Sequence, residues 1–133
     1  MTAEAETRAR VEELYDAYGA GDLERMLGLM ADDVVVTFLG QGTFHGLPAF
    51  RRFIDFSEGL LEDLDWRLDH LVVDGDVGCG IWSETARTAD GQPWATTGVD
   101  VVRVRDGKIV SLTMNNDAAL SRRHFPPYVD EGG

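Results

Sequence analysis

The sequence of 133 residues lacks most of the features that assign a small protein to a familiar class. It has one cysteine, Cys79, so no internal disulfide can form, and its histidines and cysteine lack the spacing of zinc ligands. No apolar run approaches the roughly 20 residues that span a bilayer, and the first residues lack the apolar stretch of a secretory signal. We therefore expect a soluble, cytoplasmic protein without a disulfide framework, a bound metal or a membrane-spanning segment.

Basic residues are scarce as well. The 12 Lys and Arg residues are outnumbered by 24 Asp and Glu residues, which gives a formal net charge of -12. Such a surface repels a phosphate backbone, and no phosphate-binding loop is present, since the Gly40–Gly42 stretch is typical of a turn. Nucleic acid is therefore excluded as an expected partner, and no cofactor is expected. The acidic residues have two interpretations: a solvated surface, or carboxylates placed inside the fold.

The length and the 44% hydrophobic content are typical of one globular domain, which we expect over residues 1–125, with a flexible tail over 126–133. Helices are predicted in the first half of the chain, because Val11, Leu14 and Tyr15 follow the spacing of one helix face. The predicted elements there are a helix over 3–18, a short helix after Asp22, a strand over 34–38 and a third helix from Pro48.

The second half of the chain has the pattern of a sheet. Strands are predicted over 66–73, 77–88, 94–105 and 108–116, with a C-terminal helix after Asp117. Short turns centred on Asp-Gly pairs join them, so consecutive strands are expected to be antiparallel. The pattern predicts an α+β fold in which a curved, mostly antiparallel sheet wraps around three N-terminal helices and leaves a pocket.

Asp100 is the most informative carboxylate. It lies mid-strand, and Arg103 and Arg105 favour solvent, so alternation places Asp100 on the buried face with Val102 and Val104. Without a paired cation, burial penalises the charged form, which predicts a raised pKa and a neutral or proton-carrying acid. The alternative is that a bulge shifts the register and turns Asp100 towards water or a dimer partner.

Several short motifs resemble one family. They are Tyr18–Leu23, Leu29–Val34, Phe44–Gly46 and Arg105–Val110. Together they resemble the nuclear transport factor two-like superfamily, and within it the SnoaL-like group, which is similar to polyketide cyclases and ketosteroid isomerase. The resemblance covers about residues 5–117 and implies a cone-shaped fold, a pocket between the curved sheet and the helices, and a homodimer formed through the outer sheet face.

The resemblance also implies roles for single positions. The isomerase base and the isomerase tyrosine donor match Phe38 and Leu14, so both groups are absent here, whereas the second isomerase aspartate matches Asp100. The cyclases place an acidic residue near the end of the last strand, where this chain has Asn116 and Asp117. Simple steroid isomerisation is therefore disfavoured.

Two registers are open for the strand before Asp100. The inward set is either Cys79, Ile81, Ser83 and Thr85 or its complement Gly80, Trp82, Glu84 and Ala86. The family register favours the first set, which makes Ser83 a pocket residue and Trp82 an exterior dimer contact. In the second register Glu84 becomes another pocket carboxylate.

The remaining candidates also have structural interpretations. Asn116 can orient a carbonyl or enol, Asp117 is either a proton carrier or a helix N-cap, and His45 is either an acid or base at the pocket rim or an ordinary loop residue. The residues predicted to contact a ligand are Tyr15, Tyr18, Phe38, Phe53, Trp66, Ser83, Trp94, Thr96, Gly98 and Met114.

These residues favour an enzyme that needs no cofactor. The hypothesis is a cyclase or isomerase acting on a hydrophobic, carbonyl-bearing small molecule, with Asp100 as the acid and base or oxyanion donor, Asn116 as an orienting group, and His45 or Asp117 as a second proton carrier. The alternative is a dimeric module that binds a small molecule without catalysis.

Overall fold

The structure is a computed structural model that describes residues 2–130. These residues form four helices and six strands. The helices are α1 (Ala3–Gly19), α2 (Leu23–Gly28), α3 (Leu47–Ser57) and α4 (Ala118–His124). The strands are β1 (Met30–Phe38), β2 (Gly42–His45), β3 (Leu61–Asp74), β4 (Val77–Thr88), β5 (Pro93–Arg105) and β6 (Lys108–Asn115).

The strands form one sheet in the order β2-β1-β6-β5-β4-β3. The chain from β3 to β6 forms consecutive antiparallel pairs, as predicted, and β1 pairs with β6 in parallel. The short strand β2 was missed, because its four residues follow a glycine-rich stretch that is typical of a turn. It pairs with β1 and turns Phe44 into the core.

Strand β3 begins at Leu61, five residues before the predicted start at Trp66. The added segment is rich in acidic residues, which have low strand propensity. It is also irregular: the register shifts between Glu62 and Asp65, and Asp63 has a φ of 54°. Periodicity therefore could not identify it as strand.

Helix α1 packs across one face of the sheet and supplies much of the core. Val11 and Ala17 are fully buried, and Leu14 and Tyr15 nearly so. Small residues in the sheet permit this approach, since a Cβ added to Gly78 would lie 2.9 Å from Val11 Cγ2. The helix face predicted from the spacing is therefore the face that contacts β3, β4 and β5.

Capping side chains set the helix boundaries. Thr2, Asp22 and Asp117 each accept a hydrogen bond from a backbone N–H in the first turn of α1, α2 and α4. The structural interpretation of Asp117 as an N-cap is confirmed. Pro48 lies in the first turn of α3, where a missing N–H costs nothing.

The described part of the C-terminal segment crosses an aromatic cluster. Tyr128 packs against Phe44, Phe53 and Phe56, at ring distances of 4.9 to 5.6 Å. Arg52 forms a bidentate ion pair with Asp130. The predicted tail extends beyond Asp130, and its residues 131–133 lie outside the described residues.

Candidate functional site

A cavity of about 320 Å³ opens between the helices and the sheet. Its walls are mainly aliphatic and aromatic. The aromatic residues that line it are Tyr15, Tyr18, Phe38, Phe50, Phe53, Phe56, Trp66, Trp82, Trp94 and Phe125. Among the described residues, the ionisable carboxyl groups of the lining are those of Glu58, Glu84 and Asp100. An apolar cavity with a few polar groups is the usual form of a small-molecule site.

Asp100 lies in this cavity wall with 6% of its surface exposed, so the predicted inward orientation is confirmed. Each carboxyl oxygen accepts one hydrogen bond. Tyr15 Oη donates to Oδ2 at 2.9 Å, and Trp82 Nε1 donates to Oδ1 at 2.9 Å. These donors come from α1 and β4, so the carboxyl group is held from the helix and from the neighbouring strand.

Two glycines make room for these donors. A Cβ added to Gly80 would lie 2.7 Å from Tyr15 Cε2, and a Cβ added to Gly98 would lie 2.7 Å from Trp82 Cε2. Gly80 pairs with Asp100 and Gly98 pairs with Trp82 across β4 and β5. Gly98 therefore faces inward as predicted, but the space beside it is filled by the Trp82 indole.

Burial changes the ionisation of the polar groups. Desolvation raises the pKa of Asp100 from 3.8 to about 6, and the hydrogen bonds from Trp82 and Tyr15 oppose this increase. Desolvation, together with the Asp100 charge, raises the pKa of the Tyr15 phenol above its ordinary value. Asp100 therefore changes protonation near neutral pH, whereas Tyr15 keeps its proton and acts as a donor.

Glu84 provides a second inward carboxyl group. Its Oε2 accepts a hydrogen bond from Trp94 Nε1 at 3.0 Å, and the side chain lines the cavity. Desolvation is the main cause that raises the pKa of Glu84, and the Asp100 charge adds to it. The site thus holds two carboxyl groups, Asp100 and Glu84, that burial shifts towards their neutral forms.

The register preferred from the family resemblance was therefore wrong for β4. Trp82 is buried and faces the cavity, and Ser83 lies on the outer face, away from any ligand there. The reason is the turn between β4 and β5. A two-residue turn at Asp90-Gly91 would have turned the alternate residues of β4, including Ser83, towards the cavity. Instead, Thr88 N–H donates to Gln92 C=O, and the loop between the two strands has three residues, 89–91.

Asn116 directly follows β6 and lines the cavity, as the sequence predicts. Its Nδ2 donates to Ser121 Oγ of α4 at 3.0 Å. Its Oδ1 is buried and has no hydrogen-bond partner among residues 2–130. A buried acceptor without a donor is costly, so this atom is available to a ligand.

Two predicted proton carriers lie away from the cavity. His45 is exposed on β2, because its neighbour Phe44 takes the inward position of the alternating strand. Asp117 is exposed, and its Oδ1 accepts from Leu120 N–H as the cap of α4. Neither residue contributes to the cavity wall, and the second carboxyl group there is Glu84.

Most of the predicted lining residues do meet in the cavity. They are Tyr15, Tyr18, Phe38, Phe53, Trp66, Trp94, Thr96 and Met114. Ser83 and Gly98 do not line it. Sequence reasoning missed Phe125, which stacks on Trp94 at 5.0 Å, and assigned Trp82 to the exterior. The signal that could have placed Trp82 inward is the glycine opposite it, because Gly98 on β5 leaves room for a large side chain on β4.

Two kinds of feature are absent from residues 2–130. No group of three or more His, Cys, Asp or Glu side chains is arranged there to hold a metal ion. No helix in this part of the chain is long and apolar enough to cross a membrane.

Comparison with solved structures identifies the fold. An NTF2-like protein of unknown function from Burkholderia pseudomallei is 23% identical, with a TM-score of 0.82 over 90% of this chain and 96% of that one. TerC, crystallised with polyporic acid, is 17% identical, with a TM-score of 0.80 over 90% of this chain and 97% of that one. A protein from Jannaschia sp. described as a candidate SnoaL-like polyketide cyclase is 18% identical, with a TM-score of 0.81 over 96% and 97%.

These similarities confirm the predicted α+β cone fold, and at this level of identity they concern the fold alone. No curated protein matches the chain significantly. The profile of the SnoaL-like domain family matches residues 11–112, which run from the middle of α1 into β6 and include Asp100. The chain therefore belongs to the SnoaL-like domain family.

Proposed function

We propose that this protein is a cyclase or isomerase that needs no cofactor and moves a proton on a hydrophobic, carbonyl-bearing small molecule. The observation that carries the proposal is Asp100, a buried carboxyl group in an aromatic cavity with a pKa raised to about 6. A proton carrier works best when its pKa lies near the working pH. Membership of a family that includes polyketide cyclases supports the same class of reaction.

In the proposed step Asp100 acts first as a base. The carboxylate takes a proton from the carbon beside the substrate carbonyl, and the electron pair of that C–H bond forms the enolate. A carboxylate has more acceptor sites than the two that Tyr15 and Trp82 occupy. The carboxylic acid then returns a proton to the substrate, at another position in isomerisation or, after exchange of its proton with solvent, at the same carbon, so the protein ends each cycle unchanged.

Tyr15 is proposed to respond to the charge of Asp100. While Asp100 is ionised, the phenol donates to Oδ2. Once Oδ2 carries a proton, it can donate to Tyr15 Oη, and the phenol hydrogen is then free to stabilise the enolate oxygen. Trp82 is a positioning residue, because its indole N–H can only donate and so keeps Oδ1 as an acceptor.

Exchange of protons for deuterium on β-tetralone in deuterium oxide, followed by NMR, tests this function without knowledge of the natural substrate. We expect the protein to accelerate exchange at the carbons beside the carbonyl. Tyr15→Phe keeps the ring stacked on Trp66 and removes only the hydroxyl group. It is expected to slow exchange by about 100-fold, the usual cost of one oxyanion donor.

Tyr18→Phe is the matched control, since Tyr18 lines the cavity without a hydrogen bond to Asp100. It is expected to keep most of the rate. Exchange no faster than in buffer, or equal losses in both variants, would overturn the proposed role of Tyr15 and Asp100.

A binding module is the second candidate function, because both oxygens of Asp100 already have protein partners. In that case the network fixes α1 against the sheet and the cavity only holds a ligand. The outcome that favours this candidate is β-tetralone binding, seen as shifts of cavity resonances, without any acceleration of exchange.

We also propose a homodimer formed through the outer sheet face. Val72 and Val99 are 58% and 39% exposed there, and Cys79, Ile81 and Val101 lie between them in the strand register. Val99→Glu places a charge in this apolar patch and is expected to convert dimer to monomer in light scattering. Ala119→Glu, at an exposed position of α4, is the control, and a monomeric wild-type protein would contradict the proposal.

A further inference from the structure

One end of the cavity lies against α4 and differs from the Asp100 end. We call it the α4 subsite and define it by Glu84, Trp94, Asn116, Ser121 and Phe125, all of which line the cavity. Trp94 and Phe125 stack at 5.0 Å and form its aromatic side. The β-strand rise places the α carbon of Glu84 about 13 Å along β4 from the residue opposite Asp100.

Apart from the Ser121 hydroxyl, which accepts from Asn116 Nδ2, the polar atoms left over in this subsite are hydrogen-bond acceptors. Glu84 uses Oε2 for Trp94, and its Oε1 has no hydrogen bond within residues 2–130. Asn116 uses its amide nitrogen for Ser121, and its buried Oδ1 has no partner in the same part of the chain. A ligand group that satisfies both oxygens must donate hydrogen bonds.

The cavity also has an unbalanced negative charge. Its lining within the described residues contains Glu84, Asp100 and Glu58 and no Lys, Arg or His. Aromatic ring faces add negative potential and attract cations. The carboxylates would repel a bound anion, and no positively charged side chain of the described lining would offset that repulsion. A bound cation would instead act as the counterion of the buried carboxylates.

We propose that the α4 subsite binds a protonated amine, so that the substrate is a hydrophobic amine that carries its carbonyl group towards Asp100. The inference deepens the proposed function, on which it rests for placing the substrate in this cavity. An ammonium group offers several donors to Glu84 Oε1 and Asn116 Oδ1, and its charge lies beside the Trp94 and Phe125 rings. Glu84 is then the group that determines the charge of accepted substrates.

Three probes of similar shape and different charge test the inference: phenylpropylamine, phenylpropanol and phenylpropanoate. Their affinities for the full chain are measured by calorimetry or by NMR titration. We expect the amine to bind at least tenfold more tightly than the alcohol, and the carboxylate to bind at least tenfold more weakly than the alcohol. Alcohol or carboxylate binding equal to that of the amine, or no amine binding, overturns the inference.

Glu84→Gln keeps the size of the side chain and an acceptor for Trp94 and removes the charge. It is expected to abolish the preference for the amine while alcohol binding persists, which also shows that the cavity is intact. Glu62→Gln is the matched control, because Glu62 is exposed on β3 and lies outside the cavity lining. An unchanged preference in Glu84→Gln would also overturn the inference.

The two proposals fail separately in these experiments. β-Tetralone is a neutral ketone, so its exchange depends on Asp100 and Tyr15 and not on an ammonium site. Accelerated exchange without a preference for the amine supports the proposed function and contradicts the proposed amine-binding role of the α4 subsite. An amine preference without exchange supports an amine-binding cavity and removes the catalytic function.

Discussion

Asp100→Asn is expected to slow β-tetralone exchange by about 100-fold or more and, at the same time, to stabilise the folded protein at alkaline pH. The amide cannot carry the proton, so the reaction loses its base. Its oxygen can still accept from Trp82 Nε1, and its nitrogen can donate to Tyr15 Oη, so both hydrogen bonds have a replacement.

The stability gain follows from the direction of the pKa change. Because folding raises the pKa of Asp100 from 3.8 to about 6, the folded protein holds this proton more tightly than the unfolded chain does. The resulting contribution to stability is fully present below pH about 3.8 and is lost as the pH rises through about 6. Above that pH the buried charge lowers the free energy of unfolding by on the order of 3 kcal/mol. The neutral amide of Asp100→Asn carries no such penalty.

Urea unfolding of wild type and Asp100→Asn on both sides of this range measures the effect. The difference between them should favour Asp100→Asn as the pH rises and then become constant. Asp33→Asn, an exposed position on β1, is the control and is expected to change stability by less than about 0.5 kcal/mol. A variant that is destabilised equally at every pH would identify Asp100 as a structural anchor instead.

Gly98→Ala is expected to have the second large effect, on stability and on Asp100 together. The added Cβ would lie 2.7 Å from both Asn115 O and Trp82 Cε2, and the backbone oxygen cannot move freely. Overpacking of this kind costs about 1 to 3 kcal/mol. A displaced Trp82 also weakens its bond to Asp100, and since that bond lowers the Asp100 pKa, the pKa should rise further.

Gly28→Ala is the matched control, because an added Cβ there meets no heavy atom within 4 Å and the position is helical. It is expected to be neutral or slightly stabilising in urea unfolding. Equal stability of the two variants, with an unchanged Asp100 pKa in Gly98→Ala, would show that Trp82 does not depend on the space above Gly98.

The sequence predicts the orientation of Asp100 because strong constraints agree there. Valines alternate with arginines along β5, so a shift of one residue would bury two guanidinium groups. The same alternation is ambiguous in β4, where both faces mix small and polar residues. There the orientation depends on one extra residue in the loop 89–91, which composition does not reveal.

The Tyr15 contact illustrates a different limit. The resemblance to the isomerases places their tyrosine at Leu14, which removes the donor from the predicted site. Helix α1 buries Leu14 and Tyr15 side by side, and the phenol of the next residue reaches Asp100. Helical periodicity identifies the buried face, but the glycine that admits the ring, Gly80, lies on another element and can be recognised only from the strand pairing.

The central claim is that Asp100 is a buried acid that gains and loses a proton near neutral pH inside the cavity. An NMR titration of the carboxyl carbons, with the Asp100 signal assigned by its loss in Asp100→Asn, measures this most directly. The account predicts an apparent pKa of about 6. A value near the ordinary 3.8 would contradict it, because burial would then not control the ionisation of Asp100, and its carboxylate would be a weaker base for a carbon-bound proton.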